Sequence, residues 1–174
     1  KLEGGTLTIT SDSDPASNGK VYTVCVRGNV IFNNRKSHLV FRNLVADETA
    51  GQLKDGVNQG YGIRIEGSSD VLVEECETYR CGRHHVGIIN ATGFVGRKIN
   101  ASYAMPTADN TIYVSYAGNE ASFDKCTSTY IECSDNPPAN AKDCPRAPFF
   151  VSHGDKQGLI VFSNITARTK VSTM

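Results

Sequence analysis

The sequence predicts an all-β fold, a right-handed parallel β-helix: a single-stranded solenoid of about five to six coils with insertions at its corners. Three observations carry this. Short runs of alternating apolar and polar residues recur along the chain, with no room for a helix between them. They recur in one order, three strand types to a unit. One such unit, Gly62 to Thr78, is too thin to bury its own apolar face and needs a copy of itself on each side.

The elements follow in order. Residues 1–28 contain the alternating Thr6-Leu-Thr-Ile-Thr10, a polar loop from Ser11 to Lys20, and a second strand with Tyr22, Val24 and Val26. Together they read as a partial first coil. The next unit places Val30 and Phe32, then Leu39 and Phe41, then Leu44 and Ala46 inward. The central unit places Ile63 and Ile65 inward, turns at Gly67 to Asp70, and continues with Val71 and Val73, then Cys76 and Thr78. The following unit offers Val86 and Ile88, Phe94 and Gly96, Ile99 and Ala101. Ile112 and Val114, Ala121 and Phe123, Cys126 and Ser128 come next. Phe149 and Val151, Ile160 and Phe162, Ile165 and Ala167 come last. The second-strand markers Phe41, Val73, Gly96, Phe123 and Phe162 are spaced 32, 23, 27 and 39 residues apart. The shortest spacing is near the ~20–25 residues of one solenoid coil. The longer ones imply insertions at Asp47 to Tyr61, Ser102 to Asn110 and Thr129 to Pro148. Handedness follows from the preference for right-handed crossovers between parallel strands.

Composition bounds the function. The 174 residues carry 18 basic and 18 acidic side chains, for a formal net charge of zero. A neutral chain without a basic patch does not suit nucleic acid or an anionic membrane surface. No apolar run is long enough for a transmembrane helix. Residues 1–174 read as a single domain. The chain opens at Lys1 without Met or a basic and apolar leader, so it reads as part of a longer chain or assembly. A β-helix exposes strand edges at its ends, and further subunits or chain segments are expected to cover them.

The six cysteines do not form one disulfide framework. Cys76 and Cys126 fall in one inward column with Ile99 between them, about 9.6 Å apart by strand spacing, too far to bond. They read as buried small hydrophobes. Cys133 and Cys144 flank a turn-rich insertion that a disulfide would close, which points to an oxidising, secreted or extracellular setting. Cys25 and Cys81 either pair or stay free. No pair has the CxxC spacing of a structural zinc site, so neither metal nor other cofactor is predicted.

The candidate site lies on the outward face of the first strands. By alternation that face presents Ile31 and Asn33, Arg64 and Glu66, Gly87 and Ile89, Tyr113 and Ser115, Phe150 and Ser152. His85, two residues before Gly87, projects with it. Arg83 and His84 lie in the turn feeding it, and Tyr79 and Arg80 close the preceding coil. Cations and aromatics mixed in this way suit an acidic sugar chain. Arg grips a uronate carboxylate with two parallel hydrogen bonds, and cancelling that charge makes the neighbouring carbon acid stronger. A His of near-neutral pKa, or a Tyr beside cations, then serves as base. His85, Arg83 and Tyr79 are the catalytic candidates. Arg64, Arg80, His84, Lys98 and Tyr113 are the substrate-binding ones. His38 and His153 read as structural residues of turns, and Asn43 and Asn164 as structural residues of matching bends. Asn90-Ala-Thr, Asn100-Ala-Ser and Asn164-Ile-Thr match the glycosylation sequon.

The run Gly62-Ile-Arg-Ile-Glu-Gly-Ser-Ser-Asp-Val-Leu-Val-Glu-Glu-Cys76, followed by Cys81-Gly-Arg-His-His-Val-Gly-Ile88, resembles the right-handed parallel β-helix repeat superfamily. That group includes polysaccharide lyases, alginate epimerases, some glycoside hydrolases and phage tailspikes. The resemblance covers residues 30–167. In alginate-directed members a His or Arg-His just before a Gly-Ile strand belongs to the catalytic site, which implies such a role for Arg83, His84 and His85. The chain lacks the Asp-Pro-His motif of the epimerases, the Asp-rich calcium triplet of pectate lyases and the paired Asp of polygalacturonases. The expectation is a carbohydrate-active protein on an acidic polysaccharide, lyase- or epimerase-like. The alternative is a non-catalytic glycan-binding or structural module of a larger secreted assembly.

Overall fold

The computed structural model describes residues 2–3, 6–7, 28–49, 60–102, 110–115, 121–131, 147–152 and 158–170. Strands β1 (Leu2–Glu3) and β2 (Thr6–Leu7) form a small antiparallel pair. Then the chain repeats. The first repeat is β3 (Asn29–Asn34), β4 (Leu39–Arg42) and β5 (Val45–Asp47), and the second is β6 (Tyr61–Glu66), β7 (Val71–Glu74) and β8 (Glu77–Tyr79). The third is β9 (His84–Ile89), β10 (Phe94–Arg97) and β11 (Asn100–Ser102). The fourth is β12 (Asn110–Ser115), β13 (Ala121–Asp124) and β14 (Thr127–Ile131), and the fifth is β15 (Ala147–Ser152), β16 (Ile160–Ser163) and β17 (Thr166–Lys170).

First strands pair only with first strands, second with second, and third with third. The result is three parallel five-stranded sheets: sheet I (β3-β6-β9-β12-β15), sheet II (β4-β7-β10-β13-β16) and sheet III (β5-β8-β11-β14-β17). The marker column holds, with Phe41, Val73, Gly96, Phe123 and Phe162 in register. The inward residues of all three sheets meet in one core that includes Ile63, Ile65, Val86, Ile88, Ile112 and Val114. Each such side chain contributes about 1.5–3 kcal/mol by leaving water. Glycine appears in the core column for a packing reason: a Cβ on Gly96 would lie 2.9 Å from Phe123 Cδ1. Phe123 in turn stacks on Phe162 at 5.1 Å between ring centroids.

The first repeat departs from the expected phase. Ile31 pairs with Ile63 and Asn33 with Ile65, so Phe32, not Ile31, stands in the outward column beside Arg64. Phe32 is 49% exposed, whereas Asn33 is buried. Val30-Ile31-Phe32 is apolar throughout, so alternation sets no phase, and a one-residue slip turns every side chain over. Asn33 tolerates the interior because its Nδ2 donates to Lys36 O at 2.9 Å and Ser68 Oγ at 3.2 Å.

One corner is invariant. Two residues link sheet II to sheet III in every repeat, and the first of them is always left-handed: Asn43 (φ 56), Glu75 (φ 53), Lys98 (φ 50), Lys125 (φ 54) and Asn164 (φ 51). That conformation costs a non-glycine residue about 1–2 kcal/mol. The ladder offsets it: Glu75 N donates to Arg97 O at 3.0 Å, Lys98 N to Asp124 O at 2.9 Å and Lys125 N to Ser163 O at 3.1 Å. The matching bends read for Asn43 and Asn164 are therefore real. Asn164 Nδ2 donates to the Asp124 carboxylate at 2.7 Å.

Cys76, Cys81 and Cys126 are free and buried, so Cys81 does not pair with Cys25. Cys25, Tyr22, Val24, Val26, His153 and the proposed Cys133–Cys144 disulfide lie outside the described residues, as do most of the residues of the three insertions. The third insertion is narrower than expected, since Thr129 belongs to β14 and Pro148 to β15.

Candidate functional site

The outward column of sheet I runs Phe32, Arg64, Gly87, Tyr113, Phe150 by backbone register. Gly87 leaves a notch beside Arg64. Tyr61, the first residue of β6, fills it: a Cβ on Gly87 would lie 2.2 Å from Tyr61 Cε1. The Tyr61 ring is 1% exposed and organises what surrounds it. The Arg64 guanidinium carbon stands 5.0 Å from its centroid and 5.1 Å from that of Phe32. The Arg83 guanidinium carbon is 5.6 Å from it, and the His84 ring packs tilted at 5.0 Å. Cations over aromatic faces at these distances are worth about 0.5–2 kcal/mol each, more as water is excluded. Arg64 is largely buried and ion-pairs with Glu66 at 2.5 Å, as a buried guanidinium requires.

Arg64, Arg83 and His84, picked from the sequence, are thus brought together. Tyr113 joins them by register alone. Tyr61 is the centre of the group; the sequence reading named it as the end of the first insertion. Phe32 was assigned inward. The readable signal was the one glycine in an outward column otherwise made of large residues.

His85 is elsewhere. Alternation sets it outward with Gly87, but it is fully buried. Its Nδ1 lies 3.0 Å from both Thr78 Oγ1 and Thr78 O. The phase breaks where the chain enters β9. Tyr61 pairs with His84 and Ile63 with Val86, leaving Gly62 opposite His85. A Cβ on Gly62 would meet His85 O at 2.7 Å, Cys81 Sγ at 2.8 Å and Thr78 Cγ2 at 3.2 Å. The interior there is filled by Cys81, Thr78 and His85, and glycine is what lets them approach. Burial drives the His85 pKa down to about 4, against a small opposing effect of the bond to Thr78. Its Nε2 finds no partner among the described residues. A neutral imidazole with Nδ1–H donating to the Thr78 carbonyl satisfies this geometry. Burial also pushes the Cys81 thiol up to about 12, which leaves it a poor nucleophile.

The remaining candidates are dispersed. Tyr79, on sheet III, donates its hydroxyl to the Glu77 carboxylate. Arg80 is a left-handed corner residue that ion-pairs with Asp47, and with Glu48 at 3.1 Å. Lys98 stands at the corner between sheets II and III, not on sheet I, and pairs with Glu75 at 2.6 Å. That pair raises the lysine pKa and lowers the glutamate's. The exposed His38 ring lies 3.2 Å from the Asp70 carboxylate across adjacent repeats.

No protein-family model, curated protein or solved structure matches this chain.

Proposed function

We propose that the three sheets wind as a right-handed parallel β-helix, and that the chain is a secreted module that binds an acidic polysaccharide along the outer face of sheet I. The observation that carries the binding reading is Arg83, a half-buried guanidinium stacked on the Tyr61 ring, with the buried Arg64 on the same ring already committed to Glu66. Arginine presents a planar fork to a carboxylate, and stacking on a ring holds that fork in one orientation. Repeats ~4.8 Å apart give such a face the linear character of a sugar chain. The handedness rests on the general preference of parallel crossovers.

A lyase or epimerase needs a base at the surface next to the bound carboxylate. His85 is inside and held neutral, so binding without catalysis is the simpler reading. Tyr79, with its hydroxyl on Glu77, keeps an enzymatic version open to test.

The test is affinity electrophoresis through gels holding alginate, polygalacturonate or a neutral glucan. Retardation by an acidic polymer alone, weakened at least tenfold by Arg83→Ala and by salt, supports the reading. No retardation by any acidic polymer refutes it. Absorbance of unsaturated uronates in the same mixtures reports lyase chemistry, and its loss in Tyr79→Phe would move the assignment to catalysis.

A further inference from the structure

Sheet II has an outward face that the proposed function does not use. The second residue of each of its strands points out, and register stacks Val40, Leu72, Val95, Ser122 and Val161 in one column. Four of these are aliphatic, and Val40 and Val161 are 60% and 42% exposed. An aliphatic stripe along an open sheet face marks a contact surface rather than a solvated one. Beside it runs the fourth-residue column: Arg42, Glu74, Arg97, Asp124. Its signs alternate. Arg42 Nη2 meets Glu74 Oε2 at 2.7 Å, and Arg97 Nη1 lies 3.9 Å from Glu74 Oε1. At the adjoining corner Glu75 pairs with Lys98.

An alternating column of four charges is its own complement when reversed. We propose that this face binds a second copy of the chain, sheet II on sheet II, about a two-fold axis parallel to the strands and between the second and third repeats. Arg42 then faces the partner's Asp124, Glu74 faces the partner's Arg97, and Glu75 faces the partner's Lys98. In the apolar stripe Leu72 meets the partner's Val95. Packing the same columns parallel and in step would instead set like charge against like at all four levels. The alternation therefore selects the antiparallel, closed arrangement.

The patch is small. Four levels of ~4.8 Å and four residues of ~3.3 Å make it roughly 19 Å by 13 Å, well below the ~800 Å² that each partner of a standard interface buries. The dimer is accordingly weak, dependent on concentration and loosened by salt.

Sedimentation velocity from micromolar to millimolar protein at low salt tests this, with circular dichroism confirming that each variant folds. The wild type should show a monomer–dimer equilibrium. Arg42→Glu alone, which sets two acids face to face, and Leu72→Lys should each weaken it at least tenfold. The swap Arg42→Glu with Asp124→Arg restores every facing pair in the antiparallel arrangement and should recover the dimer. A monomer at all concentrations overturns the proposal. So does a dimer indifferent to these changes, or one that the swap fails to restore.

Discussion

Gly87→Ala separates two physical effects of opposite sign. Gly87 has no left-handed φ that alanine would strain, so the unfolded-chain argument alone predicts stabilisation of about 0.4–1 kcal/mol. The packing argument predicts the reverse. The added methyl carbon would stand 2.2 Å from Tyr61 Cε1 and 2.4 Å from Cδ1, where carbon atoms sit ~3.5–4.0 Å apart. The ring must retreat by more than an ångström. It is 1% exposed and held by Arg64, Arg83 and His84. Overpacking of that kind costs about 1–3 kcal/mol. A domain of this size loses about 2–4 °C in Tm per kcal/mol, so a fall of roughly 2–12 °C is expected. Thermal and urea unfolding followed by circular dichroism measure it. The same substitution in a Tyr61→Ala background should be neutral or stabilising, because the clash is gone. A rise in Tm, or an equal loss in both backgrounds, would refute the reasoning.

Other outcomes follow from the interior and the corners. The His85 pKa falls on folding, from 6.5 to about 4, so the unfolded chain takes up the proton first. Stability is full above pH ~6.5 and declines as pH falls towards ~4, by about 3 kcal/mol at most; pH-dependent urea midpoints should show this slope, and His85→Gln should flatten it. Cys76, Cys81 and Cys126 are buried with raised pKa values, so peptide mass mapping should find them unalkylated by iodoacetamide at pH 8 until urea is added. Lys125→Val puts a β-branched residue at φ 54, a strain beyond the one the lysine already carries, and should lower the urea midpoint.

Legibility in the sequence tracked the strength of alternation. Where apolar and polar residues strictly alternate, as in Ile63-Arg-Ile-Glu66 or Ala121-Ser-Phe-Asp124, the inward columns and their register were readable. The run Val30-Ile31-Phe32 carries no alternation, and its phase was set instead by Asn33 reaching Ser68 thirty-five residues away. His85 was placed on the wrong side because the two-residue period breaks at the start of β9, where Gly62 admits Cys81 and Thr78. Tyr61 over Gly87 was illegible for another reason: the contact joins a strand's first residue in one repeat to the middle of a strand in the next. Lys98 was assigned by nearness in sequence, whereas the two-residue corner carries it to a different edge.

That corner has a consequence for how such a chain can grow. Sheet II and sheet III are always linked by two residues, whereas the link from a third strand to the next first strand ranges from four to fifteen. Length is thus held rigid at one edge and released at another. Residues gained or lost at the permissive edge decorate a level without moving it, while one inserted at the rigid edge would rotate everything downstream. The shortest period, the 23 residues from Val73 to Gly96, is consequently a ready splice unit. Duplicating it should lengthen the stack by one level, ~4.8 Å, and leave every other level as it was, so the molecule behaves as a ruler whose graduations can be copied.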